Sequence, residues 1–128
     1  MRLIIPGPLP GLNEYIEAER THRQKGASMK RQCQRIVELC AKRQLRGFCP
    51  SGPVRMDYVW YERNRRRDKD NVSSFGRKVI QDGLVRAGIL ENDGWAHVDG
   101  FSDEFRVDAK RPRVEVEIRE VRCEHGKA

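Results

Sequence analysis

With 128 residues, 38% of them hydrophobic, the chain is long enough for one domain with one core and too short for two. Lys and Arg number 26 against 19 Asp and Glu, a formal net charge of +7; with 35% of residues charged, a membrane-embedded protein is excluded and a polyanionic partner is favoured. No apolar run approaches the ~18–20 residues of a membrane span, and Met1-Arg2-Leu3-Ile4-Ile5-Pro6 meets a proline too early for a signal-peptide core. A soluble cytoplasmic protein is therefore expected.

In chain order, residues 2–5 predict a short strand, closed by Pro6-Gly7-Pro8-Leu9-Pro10-Gly11, where three prolines in five positions exclude helix and ladder pairing. The polar stretch Asn13 to Gly26 reads as a surface loop. Ser28 is placed to cap a helix that runs to about Leu45, with Met29, Cys33, Ile36, Val37, Cys40 and Leu45 along one stripe and Gly47 ending it. Its other side is basic: Lys30, Arg31, Arg35, Lys42 and Arg43 face a single acid, Glu38, which makes this face, with Lys30, Arg31 and Arg35 foremost, the candidate DNA-backbone contact; the plainer reading is a merely solvated helix face. Strict alternation follows, with Val54, Met56, Tyr58 and Trp60 on one face and Arg55, Asp57, Val59 and Tyr61 on the other. That is a strand, and Trp60 belongs to its core side.

After the polar run from Glu62, Asp70 or Asn71 is placed to cap a second helix, with Val72, Phe75, Val79, Ile80 and Leu84 at 3–4 spacing and Gly88 past its end. Asn92-Asp93-Gly94 signals a turn. A strand over Val98–Val107 and a clearer one through Val114, Val116 and Ile118 complete the chain, joined by a hairpin connection at Pro112. The expected fold is α+β: a single compact domain over residues 1–128, with about four mostly antiparallel or mixed strands packed against two main helices. Cys33, Cys40, Cys49 and Cys123 contain no Cys-x-x-Cys pair, so a zinc site is not expected and reduced thiols are.

The chemistry concentrates in Arg65-Arg66-Arg67-Asp68-Lys69-Asp70-Asn71, between a strand and a helix. Two aspartates at i and i+2 leaving an extended segment point to the same side. Their mutual repulsion is relieved by a divalent cation, and Mg²⁺ takes one or two carboxylates plus waters and phosphate oxygens. The preceding arginines, with Lys69, would bring a phosphate to that ion, a combination that suggests metal-assisted phosphodiester hydrolysis. The plainer reading is that Asp and Asn at such a turn only cap the helix. A third carboxylate would come from Asp93 if the strand after the helix lies beside the end of the first one; Glu91, Asp99 and Asp103 are its neighbours in sequence. His22, His97 and His125 stand without partners and read as surface histidines.

Taken together, Asp68-Lys69-Asp70-Asn71, Lys78, Asp82-Gly83-Leu84-Val85-Arg86-Ala87-Gly88-Ile89 and Asn92-Asp93-Gly94-Trp95 resemble the RusA family of Holliday junction resolvases, as do the N-terminal segment Pro6 to Asn13 and the basic helix after it. The resemblance runs from Arg2 to about Val121. It implies a homodimeric, Mg²⁺-dependent endodeoxyribonuclease, with Mn²⁺ as the alternative ion, that resolves four-way DNA junctions by paired symmetric nicks in recombination and repair. It implies Asp68, Asp70 and Asp93 as metal ligands and a lysine supporting the transferring phosphate. In the family that lysine stands one helical turn after the second aspartate, where this chain has Ser74; Lys78, one turn further on, is the nearest match. Two other readings stay open: a non-catalytic basic protein that binds nucleic acid by shape and charge, and a structure-specific nuclease acting on other branched DNA or on RNA.

Overall fold

Period-two patterning makes the sheet, and the sheet decides where everything else lies. A computed structural model describes residues 1–121, so Cys123 and His125 fall outside the described residues. The elements are β1 (Arg2–Pro6), α1 (Leu12–Thr21), α2 (Arg23–Gln44), β2 (Val54–Glu62), α3 (Lys69–Arg86), β3 (Val98–Val107) and β4 (Arg113–Glu120). The strands form one mixed sheet in the order β1-β4-β2-β3. β4 runs antiparallel to both β1 and β2, while β2 and β3 are parallel and joined by α3 as a crossover. The fold is the α+β domain expected, with three helices rather than two.

Alternation sorts the sheet into two faces. Val54, Met56, Tyr58 and Trp60 of β2 and Val114, Val116 and Ile118 of β4 are buried together with Leu3 and Ile5 of β1. They pack in one cluster with Val37, Ala41, Phe75, Val79, Ile80 and Leu84 of the helices. The opposite face carries charges in pairs, such as Arg55 with Asp57 at 3.2 Å and Arg113 with Glu115 at 2.8 Å. The Arg113 guanidinium also lies 3.7 Å from the Tyr61 ring centroid, a cation–π contact. α2 and α3 approach closely because Gly83 has no side chain: a Cβ there would come within 2.4 Å of Val37 Cγ1.

Three expectations are corrected. The segment after Asn13 is not a loop but opens into helix α1, whose start is set by the Glu14 carboxylate accepting the Gly11 N–H at 2.7 Å. Tyr15 of α1 stacks on Phe75 with ring centroids 4.7 Å apart, and Ala18 is buried. α2 begins at Arg23 rather than after Ser28, because the His22 side chain accepts from Gln24 N–H and supplies the cap earlier. β3 and β4 are not hairpin partners: β2 lies between them, and the link at Pro112 crosses its end, held by an Asp108 N–H to Glu62 C=O bond of 2.8 Å.

Parallel pairing of β2 with β3 places the carboxyl ends of both strands, at Glu62 and Val107, at one edge of the molecule. α3 starts at that same edge. Clefts in α/β arrangements form at this position, outside the carboxyl ends of parallel strands.

Candidate active site

A cleft of about 750 Å³ occupies that edge, and Asp68, Asp70, Arg65 and Lys69 line it together with Glu62, Asn64, Arg67, Val72 and the β3 residues Phe105, Arg106 and Val107. Asp68 is the N-cap of α3, its Oδ1 accepting from Asn71 N–H at 3.3 Å. The cap is thus two residues earlier than Asp70 and three earlier than Asn71. The reason given for the pair facing one way is corrected as well: Asp68 has extended backbone but Asp70 is already helical, so the strand period does not apply. What aims both at the cleft is the first turn of α3, where a carboxylate is favoured by the unpaired N–H groups and the helix dipole. Asp70 is exposed, and among the described residues its carboxylate makes neither an ion pair nor a side-chain hydrogen bond.

The arginine run divides. Arg65 reaches the main cleft, whereas Arg66 lines a second, smaller one of about 380 Å³ with Arg63, Pro8 and Pro10. Arg67 lines both clefts, but its guanidinium is engaged by protein partners. Its Nε and Nη2 donate to the Glu62 carboxylate at 3.0 and 2.9 Å, its Nη1 to Glu14 Oε1 at 2.7 Å, and its Nη2 also to the Leu9 carbonyl at 3.2 Å. Beside it, Asn71 Oδ1 accepts the Asn13 N–H at 2.7 Å. A Cβ at Gly11 would stand 2.7 Å from Asn71 Oδ1 and 2.9 Å from Arg67 Nη1, so a side chain there would push both groups aside. The Pro/Gly-rich segment and α1 are therefore clamped to the turn that carries Asp68.

Asp93 is not part of this group. Its Oδ2 accepts from Lys78 Nζ at 2.5 Å, and the same ammonium pairs with Asp82 Oδ1 at 3.3 Å. Lys78 stands eight residues beyond Asp70, about 12 Å along the axis at 1.5 Å per residue. The ammonium holds the Asp93 carboxyl below the ordinary carboxylate range, and the two carboxylates hold Lys78 above the ordinary lysine value. Among the described residues no three His, Cys, Asp or Glu side chains form a group able to hold a metal ion. The expected trio is thus divided, and the reason is topological. β3 runs parallel to β2, so the loop that carries Asp93 enters at the amino ends of the strands, opposite the Asp68 turn. Trp95 packs on nothing in that loop and is 99% exposed. His97 hydrogen-bonds Asn92 Oδ1 at 2.9 Å in the same turn and stands outside the cleft.

On α2, Arg31 and Arg35 are exposed and Lys30 half-buried, and none of the three makes an ion pair among the described residues. Lys42, by contrast, is paired with Glu38 at 3.0 Å. Sequence reasoning missed Phe105, Arg106 and Val107 as cleft residues; nothing in their local spacing distinguishes them, because only the parallel register brings β3 there.

The donor set of the cleft suits a hard divalent ion. Asp68 and Asp70 offer carboxylate oxygens alone, with no sulfur or imidazole beside them in the lining, which is the chemistry of Mg²⁺ or Mn²⁺ rather than of zinc. No helix is long and apolar enough to cross a membrane among the described residues. Compared with protein-family models and with curated proteins, the chain matches none.

Proposed function

We propose that the protein is a divalent-metal-dependent endodeoxyribonuclease that cuts branched DNA, with the four-way junction as the substrate its RusA-like motif implies. The observation that carries this reading is one cleft in which Asp70 stands with Arg65 and Lys69 and none of the three has an ion-pair partner among the described residues. Charges left unpaired in a shared cleft suit a ligand that brings both a cation and an anion, as a metal-bound phosphodiester does. Asp68 and Asp70 would hold Mg²⁺, or Mn²⁺ in its place. The ion would supply a water of lowered pKa and a Lewis acid for the phosphate.

The chain's own groups have separate tasks. Arg65 and Lys69 hold the phosphate non-bridging oxygens, and Lys69 is better placed for this than Lys78, which is engaged by Asp82 and Asp93 outside the cleft lining. The N-terminus of α3 adds positive potential behind both. In the hydrolysis a water oxygen bonds to phosphorus as the bond to the 3′ oxygen breaks; one water proton passes to the departing 3′ oxygen, which leaves as a hydroxyl, and the other goes to the 5′ phosphate or to solvent. Arg31, Arg35 and Lys30 of α2 contact backbone phosphates away from the cut, releasing counterions. Two copies of the chain would deliver the paired nicks, and a DNA substrate fits a cytoplasmic, bacterial or phage-encoded protein.

Purified protein should nick a synthetic four-way junction in Mg²⁺ and not in EDTA. Asp70→Asn should cut at least about 10²-fold more slowly, as expected for loss of a metal ligand, while still retarding the junction on a native gel. Cleavage by Asp70→Asn at the wild-type rate would refute the metal assignment. Binding without cleavage in either Mg²⁺ or Mn²⁺ would leave the non-catalytic binder as the correct reading.

A further inference from the structure

The cleft is larger and less polar than a phosphate and a hydrated ion need. Its about 750 Å³ falls within the ~300–1,000 Å³ typical of sites that enclose a whole organic ligand. The same lining includes the apolar side chains Val72 of α3 and Phe105 and Val107 of β3. Phe105 is paired in register with the core residue Trp60, so its ring faces the helix side of the sheet; β3 is an edge strand among the described residues. The Lys69 ammonium lies over the Phe105 ring, 5.7 Å from its centroid, so an aromatic ring and a cation stand together in the cleft.

We propose that this cleft is a nucleotide pocket that takes one unpaired nucleobase against Phe105, with that nucleotide's phosphate at Lys69 and Arg65. The proposal deepens the nuclease reading and rests on it for the phosphate. The physical argument has two parts. A ring wall beside cations matches the two halves of a nucleotide, and stacking on an aromatic side chain is indifferent to which base is bound because every base has a π-face. A base inside continuous duplex is already stacked on both sides and cannot enter a one-sided pocket; a base at a branch point or flap is able to. The pocket would therefore select branched over continuous DNA at the site of cleavage itself. Arg106, on the rim, is paired with Glu104 and is left out of the assignment.

The test uses the full chain in EDTA, so that binding is read without cutting. The probe is a flap-bearing DNA with 2-aminopurine at the first unpaired position, compared with the same base inside continuous duplex. Wild-type protein should change the emission of the unpaired probe and leave that of the duplex probe alone. Phe105→Leu, which keeps an apolar side chain, should abolish the change and weaken flap binding by about tenfold, in line with base–aromatic stacking; duplex affinity should be unchanged, and Phe105→Tyr should restore both signals. Equal flap-to-duplex preference in Phe105→Leu and wild type would overturn the proposal. Should Phe105→Leu fail to fold, competition on the wild type decides: thymidine monophosphate should displace the flap at about tenfold lower concentration than inorganic phosphate, and equal potency would overturn the proposal. Cleavage in Mg²⁺ without any Phe105 effect removes the pocket and keeps the nuclease. A Phe105-dependent signal without cleavage removes the nuclease and keeps the pocket.

Discussion

Arg67 illustrates how far a single residue's role depends on its partners. In sequence it is one of five cations between Arg63 and Lys69, indistinguishable from Arg65 or Arg66. In space its guanidinium is 23% exposed and bridges Glu62, 13% exposed, to Glu14, which lies 53 positions away in the chain. A planar fork with five donors suits this bridge, and a lysine does not reproduce it. Arg67→Ala should lower stability by about 2 kcal/mol, because Glu62 is left half-buried without its cation. Arg67→Lys should recover less than half of that loss in a urea titration. DNA affinity at fixed salt should change little in Arg67→Lys if the protein remains folded; a loss as large as that for Arg65→Ala would make Arg67 part of the DNA surface.

At the scale of elements, α3 was legible because its apolar residues repeat at helical spacing and its flanks carry stop signals. Its cap was misplaced because Asp68, Asp70 and Asn71 are all good caps, and only the extended backbone at Asp68 decides among them. Asp68 thus has two roles, one in the helix and one in the proposed metal site, and two substitutions separate them. Asp68→Asn keeps the capping oxygen and should hold thermal stability near wild type while abolishing Mg²⁺-dependent nicking. Asp68→Ala removes the cap too and should cost about 1 kcal/mol in addition. If Asp68→Asn is as active as wild type, the aspartate is a cap and nothing more. α1 was missed for the opposite reason: it starts at Gly11, and its Glu14 closes the cap from inside the helix, so no Ser, Thr, Asp or Asn announces it.

For the whole molecule, charge acts through ties between elements. Asp93 fastens the turn before β3 to α3 through Lys78, Glu38 fastens α2 to α3 through Arg86, and Asp108 fastens the β3–β4 connection to Arg113. Each of these carboxyls is held below its ordinary value, chiefly by hydrogen bonding to the cation beside it: Lys78 for Asp93, Lys42 and then Arg86 for Glu38, and Arg113 for Asp108. A carboxyl depressed in the folded state binds its proton more readily when unfolded, so its stabilisation is present above the unfolded value and disappears as pH falls. With reference values of 4.5 for Glu38 and 3.8 for Asp93 and Asp108, the urea midpoint should be flat from neutrality to about pH 5 and fall below it. Asp93→Asn should make that acid decline shallower. A midpoint unchanged down to about pH 2.5 would show that these pairs contribute nothing to stability.

Apart from α1, the order of the elements and the distribution of charge were legible in the chain itself, since period-two and helical spacings and a proline-closed first strand are local properties. The closeness of Asp68 and Asp70 was legible too, since only Lys69 separates them, although what aims them at the cleft is the helix turn and not the strand period. What the tertiary structure decided was every relation between distant segments. Parallel pairing of β2 with β3 sent Asp93 to Lys78 and brought Phe105 to the cleft, and insertion of β2 between β3 and β4 removed the hairpin. Strand order and direction follow from how several apolar faces share one core, a condition on the whole chain that no window of sequence contains.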